Sequence, residues 1–136
     1  MGNRRQAREA ALGYLYQWDA KVSPVTESPE KFIRHFKVAE PFQHYFISLV
    51  NGSIENSEKI DQEIQAVSEN WKLYRMARVD RSILRLSAWE ILYCEDTSHQ
   101  IIIDEAVELA KTYCSEDSPG FVNGILDKIA KKYRSG

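Results

Sequence analysis

The sequence predicts an all-α protein, a compact bundle of about seven helices. Three observations carry that expectation. Apolar residues recur at spacings of three and four in one segment after another. No segment shows the two-residue alternation of a strand, and no internal repeat is present. One stretch, Val79 to Tyr93, holds neither glycine nor proline and is apolar around most of a helical circumference. At 3.6 residues per turn, Val79, Ile83, Leu84, Leu86, Ser87, Ala88 and Ile91 cover well over half of it. Arg78, Arg81, Ser82 and Arg85 form a narrow polar stripe, expected to be the one exposed edge of a buried helix. Glu90 projects into the apolar arc. Burial of an unpaired carboxylate is costly, so an ion pair or hydrogen bond to a neighbouring helix is expected. A catalytic acid would need a second titratable group nearby, and the sequence points to none.

The other elements follow in order. Asn3 is the expected N-cap of a helix running to about Asp19, with Ala7, Ala11, Tyr14, Leu15 and Trp18 on its apolar side. Arg4, Arg5 and Arg8 share a face of its first turns. The helix dipole favours acids there, so these arginines add no helix stability. An anionic ligand would explain them, and solubility is the competing account. Lys21 to Ser28 reads as a loop. Ser28 as N-cap and Pro29 in the first turn open a short helix with Phe32, Ile33 and Phe36. Glu40-Pro41 marks a boundary. Phe42, Tyr45, Phe46, Leu49 and Val50 then keep helical spacing, Asn51-Gly52-Ser53 weakens the helix, and Ile54, Ile60, Ile64, Val67 and Trp71 resume it. Two helices or one kinked one are expected there, with a linker from Trp71 to Ala77.

After the central helix, Asp96-Thr97-Ser98 interrupts the pattern. Ile102, Ile103, Ala106, Val107, Ala110 and Cys114 make one apolar stripe, with Asp104, Glu105, Glu108 and Lys111 turned to solvent. Ser115 to Gly120 is a turn in which Ser118-Pro119 repeats the N-cap and first-turn pattern. Val122, Ile125, Leu126, Ile129 and Tyr133 form the face of a last helix. The Asn123-Gly124 pair inside it is ordinarily a turn signal. The flanking period is helical, so Gly124 is expected to allow a close helix–helix approach.

At 136 residues and 43% hydrophobic content, the chain is expected to form a single domain, 1–136, with a substantial core. No apolar run approaches a membrane span. No apolar stretch of a signal peptide follows the Arg-rich start, and Gln6 stands where a myristoylation motif wants Ser or Thr. Cys94 and Cys114 fit no metal spacing. Their apolar neighbours suggest buried free thiols in a reducing cytoplasm. The net charge of −2 does not announce a nucleic-acid binder, but basic residues gather in three places. These are Arg4, Arg5 and Arg8; Lys72, Arg75, Arg78, Arg81 and Arg85; and Lys128, Lys131, Lys132 and Arg134, the last group reading as a solvated face. The chain contains no phosphate-binding glycine loop, H-E-x-x-H, nucleophile elbow or Cys-x-x-Cys. His35, His44 and His99 share no face. Nothing argues for an enzyme, a metal or a cofactor.

Three stretches together resemble the NusB family of bacterial transcription antitermination factors. They are Arg4-Arg5-Gln6-Ala7-Arg8-Glu9-Ala10 with Leu15-Tyr16-Gln17-Trp18; Val79 to Leu86 with Trp89-Glu90-Ile91; and Asp104 to Lys111 leading to Glu116 to Lys128. The last is the most specific, and only Lys21 to Asn70 matches poorly. The resemblance implies two packed helical subdomains. It implies binding to boxA RNA of nascent ribosomal RNA transcripts, a heterodimer with NusE (also a small-subunit ribosomal protein), and work within the RNA polymerase antitermination complex in the cytoplasm, with no membrane. It leaves a homodimer open, since some members self-associate through the basic face.

The resemblance also assigns residues. Arg4, Arg5 and Arg8 match the family's RNA-contacting arginine motif, while Asp117 and Phe121 match positions at the RNA. Phe121 would stack an unpaired base, against core packing on its residue type alone. Asp117 would accept from a base edge. Tyr16 and Asp80 match positions used against NusE, although by pattern alone Tyr16 reads as core and Asp80 as an N-cap. Gln6 and Gly120 fall where members often carry a basic residue. Fewer phosphate contacts imply weak RNA binding alone and a larger dependence on the partner. The competing readings are a helical protein-interaction module and an accessory domain related to ribosomal RNA methyltransferases, without its own RNA specificity.

Overall fold

The computed structural model describes residues 2–20 and 28–134. The expected loop at Lys21 to Ser28 lies outside the described residues except at Ser28. The described residues form seven α-helices and no strand: α1 (Gly2–Ala20), α2 (Pro29–Phe36), α3 (Glu40–Glu55), α4 (Ser57–Val67), α5 (Arg78–Tyr93), α6 (His99–Tyr113) and α7 (Ser118–Tyr133). A short 3-10 turn, Leu73–Arg75, occupies the expected linker. Two helices start on a serine cap. Ser28 Oγ accepts from Lys31 N at 3.2 Å and Ser98 Oγ from Ile101 N at 3.2 Å, each satisfying an amide that has no partner within its helix.

Four boundary expectations are corrected. Helix α1 begins at Gly2, so Asn3 lies inside it and does not cap it. Helix α3 runs straight through Asn51-Gly52-Ser53, and the break falls at Asn56. Ser118 is the first residue of α7, preceded by Asp117, and its hydroxyl is drawn away to Asp80 Oδ2 at 2.8 Å. Gly124 faces open space, with no atom near enough to need its missing side chain. The close approach occurs at Gly52 instead, where the Trp89 indole occupies the place a Cβ would take.

The core has two centres, in keeping with two packed helical subdomains. Ala7, Ala11 and Tyr14 of α1 pack with Phe32 of α2 and Phe46, Leu49 and Val50 of α3. Phe32 stacks on Phe46 at 5.4 Å between ring centroids, and Tyr14 meets Phe32 edge-on at 5.3 Å. The larger centre is built from α4 to α7 with Leu12 and Leu15 of α1. Helix α5 packs against α1, α3, α4, α6 and α7, which explains a sequence that is apolar nearly all round.

The polar stripe of α5 is not an exposed edge. Ser82 is fully buried and Arg85 nearly so. Asp19, at the end of α1, accepts from Arg81 at 2.7 Å and forms an ion pair with Arg85 at 3.0 Å, and Arg85 also pairs with Asp61 of α4 at 2.9 Å. Arg81 further donates to the carbonyls of Tyr74 and Met76 at 3.1 and 3.2 Å, tying the 3-10 turn to α5. Burial opposes ionisation of Asp19, but hydrogen bonds from Arg81 and Arg85 outweigh it and hold the carboxyl below its ordinary range. A depressed carboxyl contributes stability above its unfolded value near pH ~4, and loses it as the pH falls through the folded value. Asp19→Asn therefore narrows its stability gap to the parent on acidification below about pH 4. A gap that stays constant from neutral to strongly acidic pH, followed by thermal melts, would contradict this.

The basic tail also does more than solvate. Arg134 donates to the carbonyls of Glu90, Ile91, Cys94 and Thr97 at 2.8–3.1 Å. It thereby closes the C-terminal end of α5, whose last carbonyls have no helical partner. Lys132 bonds Glu63 at 3.0 Å, while Lys128 and Lys131 remain exposed as expected. Cys94 and Cys114 are free but only half-buried. Among the described residues no helix is long and apolar enough to cross a membrane.

Candidate nucleic-acid interface

The first turns of α1 bring Arg4, Arg5 and Arg8 against the start of α6 and the loop before it. Each meets an acid. Arg8 is almost completely buried, and its guanidinium grips Glu90 of α5 in a two-pronged contact at 2.9 and 2.7 Å. Tyr45 of α3 donates its hydroxyl to the same carboxylate. This is the partner that a carboxylate in the apolar arc required. Arg5 pairs with Glu105 of α6 at 2.9 and 2.6 Å, and Arg4 with Asp96 at 3.1 Å and with the Thr97 hydroxyl. The hydrogen bond from Arg5 holds Glu105 below the usual carboxylate range. Glu105 is therefore not turned to solvent as expected of its helix face. The unfavourable dipole placement of the three arginines is met, at least in part, by carboxylates within the chain. Arg4 and Arg5 keep 39% and 54% of their side chains exposed against 4% for Arg8, so only the first two can also reach an outside anion.

A second locus lies beyond the C-terminal end of α6. A cleft of about 250 Å³ is lined by Trp71, Arg75, Met76, Ala77, Asp80, Ser115, Asp117, Ser118 and Phe121. Asp117 is exposed and Phe121 half-buried. Phe121 meets Trp71 edge to face at 6.3 Å, with the rings at 78°. The two loci are connected along α6: Glu105 holds Arg5, and Tyr113, two turns further, donates to Glu9 of α1 at 3.3 Å. At 1.5 Å per residue Glu105 and Tyr113 stand on the order of 12 Å apart along that helix. No group of three or more His, Cys, Asp or Glu side chains among the described residues could hold a metal ion.

The NusB family model matches residues 5–131. The chain belongs to the NusB family. The transcription antitermination protein NusB of Desulfatibacillum aliphaticivorans is 40% identical over 129 residues, covering 95% of this chain and 90% of that one. Among solved structures, NusB of T. maritima is 35% identical with a TM-score of 0.84, covering 96% of this chain and 92% of that chain. A chain from a crystal structure of the antitermination factors NusB and NusE in complex with dsRNA superposes with a TM-score of 0.85 at 28% identity, covering 98% and 99%. As a NusB-family member the chain is a transcription antitermination factor, with the all-helical architecture the sequence predicted.

Within this NusB fold the expected partner-facing residues are placed unevenly. Tyr16 is 41% exposed, which corrects its reading as core; the Arg78 guanidinium lies 5.5 Å from its ring. Asp80 lies in the first turn of α5, not at its N-cap, and lines the cleft with Asp117 and Phe121. Cys114 nearby is pushed up to about 12 by burial and by the Asp80 carboxylate, so it stays a neutral thiol. By periodicity Trp71 continues the apolar face of the preceding helix, and Arg75 falls in a basic cluster; α4 instead ends at Val67, and Trp71 stands 56% exposed beside the cleft that Arg75 also lines.

Proposed function

We propose that this chain binds boxA RNA of nascent ribosomal RNA transcripts together with NusE, and so helps RNA polymerase pass terminators within the antitermination complex. The observation that carries this reading is the likeness, over nearly the whole of both chains, to a NusB chain solved with NusE and double-stranded RNA. In this reading Arg4 and Arg5 contact phosphates, and Arg8 positions them through Glu90 while adding charge. Asp117 accepts from a base edge and Phe121 offers a stacking ring. Tyr16 and Asp80 are the residues the resemblance sets against NusE; the exposure of Tyr16 supports this, while Asp80 is buried and bonded to Ser118 at the wall of the cleft. The chain acts as one domain and a non-enzymatic adaptor, in the cytoplasm where transcripts are made.

Phosphate contacts set affinity and its salt dependence. Arg4 and Arg5 are already partly neutralised by Asp96 and Glu105, and Gln6 and Gly120 add no charge, so binding alone is expected to be weak. Fluorescence anisotropy of labelled boxA RNA, with and without NusE and at several salt concentrations, tests this. The expected outcome is salt-dependent binding that NusE strengthens and that a scrambled RNA does not show. Tight binding alone with no gain from NusE would refute the partner dependence. No RNA binding in either condition would refute the function and favour a protein-interaction module.

A further inference from the structure

We propose that the corner formed by Trp71 and Phe121, with Arg75 at its rim, is a subsite for one unpaired nucleotide of a single-stranded RNA. The base would stack in the corner and its phosphate would lie on the Arg75 side. This rests on the RNA-binding reading above and adds Trp71 and Arg75 to it as contact residues.

Three observations support it. The first is the state of Trp71. Its side chain is 56% exposed, yet its backbone is fixed. The Trp71 carbonyl accepts from Gln65 Nε2 at 2.9 Å and from Ser68 Oγ at 3.0 Å, and Gln65 also receives Leu73 N at 2.8 Å. A large apolar ring held out in water on a rigid stem is a stacking platform whose ordering cost is already met. The second is the geometry. Rings at 78° and 6.3 Å form a corner in which a base stacked on one ring meets the edge of the other. The adjoining cleft of about 250 Å³ also presents the exposed Asp117 carboxylate, an acceptor for base amino or imino hydrogens. Its other acid, Asp80, is already bonded to Ser118.

The third is the distribution of free cations. Arg4, Arg5, Arg8, Arg81 and Arg85 are all engaged with carboxylates. Among the described residues neither Lys72 nor Arg75 forms an ion pair; both are exposed, and Arg75 lies 5.9 Å from the Tyr74 ring. Of the exposed cations without an ion pair, Arg75 and Lys128 line the two clefts that include both Trp71 and Phe121, while Lys31, Arg34 and Lys37 lie away from them on α2 and just after it. A protein ligand would explain the aromatic surface but not this pairing of stacking rings with unneutralised charge.

The test is anisotropy of labelled single-stranded boxA RNA in the presence of NusE, using the full chain and its Trp71→Ala, Trp71→Phe, Arg75→Ala and Phe121→Ala variants. Trp71→Ala should weaken binding about tenfold or more, as for one stacked base, and Trp71→Phe should retain most of the affinity. Arg75→Ala should lower the salt slope by about one. A series of RNAs with one abasic nucleotide each locates the subsite. At one position the Trp71→Ala penalty should vanish, because the base it would stack is gone. Thermal melting and NusE affinity should be unchanged by Trp71→Ala. If the parent protein binds and Phe121→Ala weakens it while Trp71→Ala does not, the subsite is wrong and the RNA-binding reading stands. A Trp71→Ala penalty that is equal at every abasic position, or that tracks lost NusE affinity, also overturns it. A parent protein with no RNA affinity overturns both.

Discussion

Glu90→Ala lowers the stability of this protein by about 3–5 kcal/mol, the cost of leaving one partner of a buried ion pair uncompensated. Glu90 is fully buried and Arg8 nearly so. Without the carboxylate the Arg8 guanidinium and the Tyr45 hydroxyl lose their shared acceptor in a place water does not reach. Arg8→Ala has a similar effect for the converse reason. Chemical denaturation of the parent and each variant measures it, and a loss below about 1 kcal/mol, the scale of an exposed pair, would refute the buried-pair account. The result bears on function because the family resemblance counts Arg8 among the RNA-contacting arginines, whereas its burial makes it a positioning residue here. A loss of RNA binding in Arg8→Ala is ambiguous between a missing contact and a collapsed helix start. The combination Arg8→Met with Glu90→Leu and Tyr45→Phe removes the whole polar cluster, and apolar replacement of a buried pair is often neutral. If that protein folds and binds RNA like the parent, Arg8 positions Arg4 and Arg5. If it folds and binds weakly, the Arg8 charge itself contributes.

Glu90 also shows how far the sequence could be read. A carboxylate on an apolar arc demands a partner, and that demand was legible. The identity of the partner was not, because Arg8 lies 82 residues away and its own pattern pointed outward to an anion. The same physics recurs on the opposite side of α5. Arg81, Ser82 and Arg85 are polar and evenly spaced, so periodicity assigns them to water. Polarity alone cannot distinguish a solvated stripe from one that meets Asp19 and Asp61. The helices themselves were legible because apolar period is a local property, while ion pairs between helices are not. Charge and dipole placement singled out the arginines as an anion site, while their assignment to RNA and the Asp117–Phe121 segment came through family resemblance. Trp71 continued the apolar period of the preceding helix on paper, but that helix stops at Val67 and the Trp71 backbone is held by Gln65 and Ser68, while the 3-10 turn that carries Arg75 is held from a distance by Arg81.

Two of the helix-internal glycines, Gly52 and Gly124, give the second large effect, with opposite signs. Gly52→Ala is expected to cost about 1–3 kcal/mol, the range for overpacking a filled site, and toward its upper part. The added Cβ falls on the Trp89 indole, a rigid bicyclic ring, not the movable end of a long side chain. Trp89 packs against both centres of the core, so the strain falls where α3 and α5 lock the two helical groups together. Gly124→Ala should instead stabilise by about 0.5–1 kcal/mol, because alanine restricts the unfolded chain and favours a helix interior. Nothing stands near Gly124 to oppose the methyl group. Trp89→Phe leaves a smaller ring, so the cost of Gly52→Ala should shrink in that background. A double-mutant cycle by urea denaturation reads the coupling directly. Equal costs in both backgrounds would mean that Trp89 does not set the limit at Gly52. A sequence holds the glycine but not the ring that needs it, so Asn123-Gly124 drew the expectation of close approach and Asn51-Gly52 that of a weak point. The measured signs decide between backbone freedom and steric necessity at each.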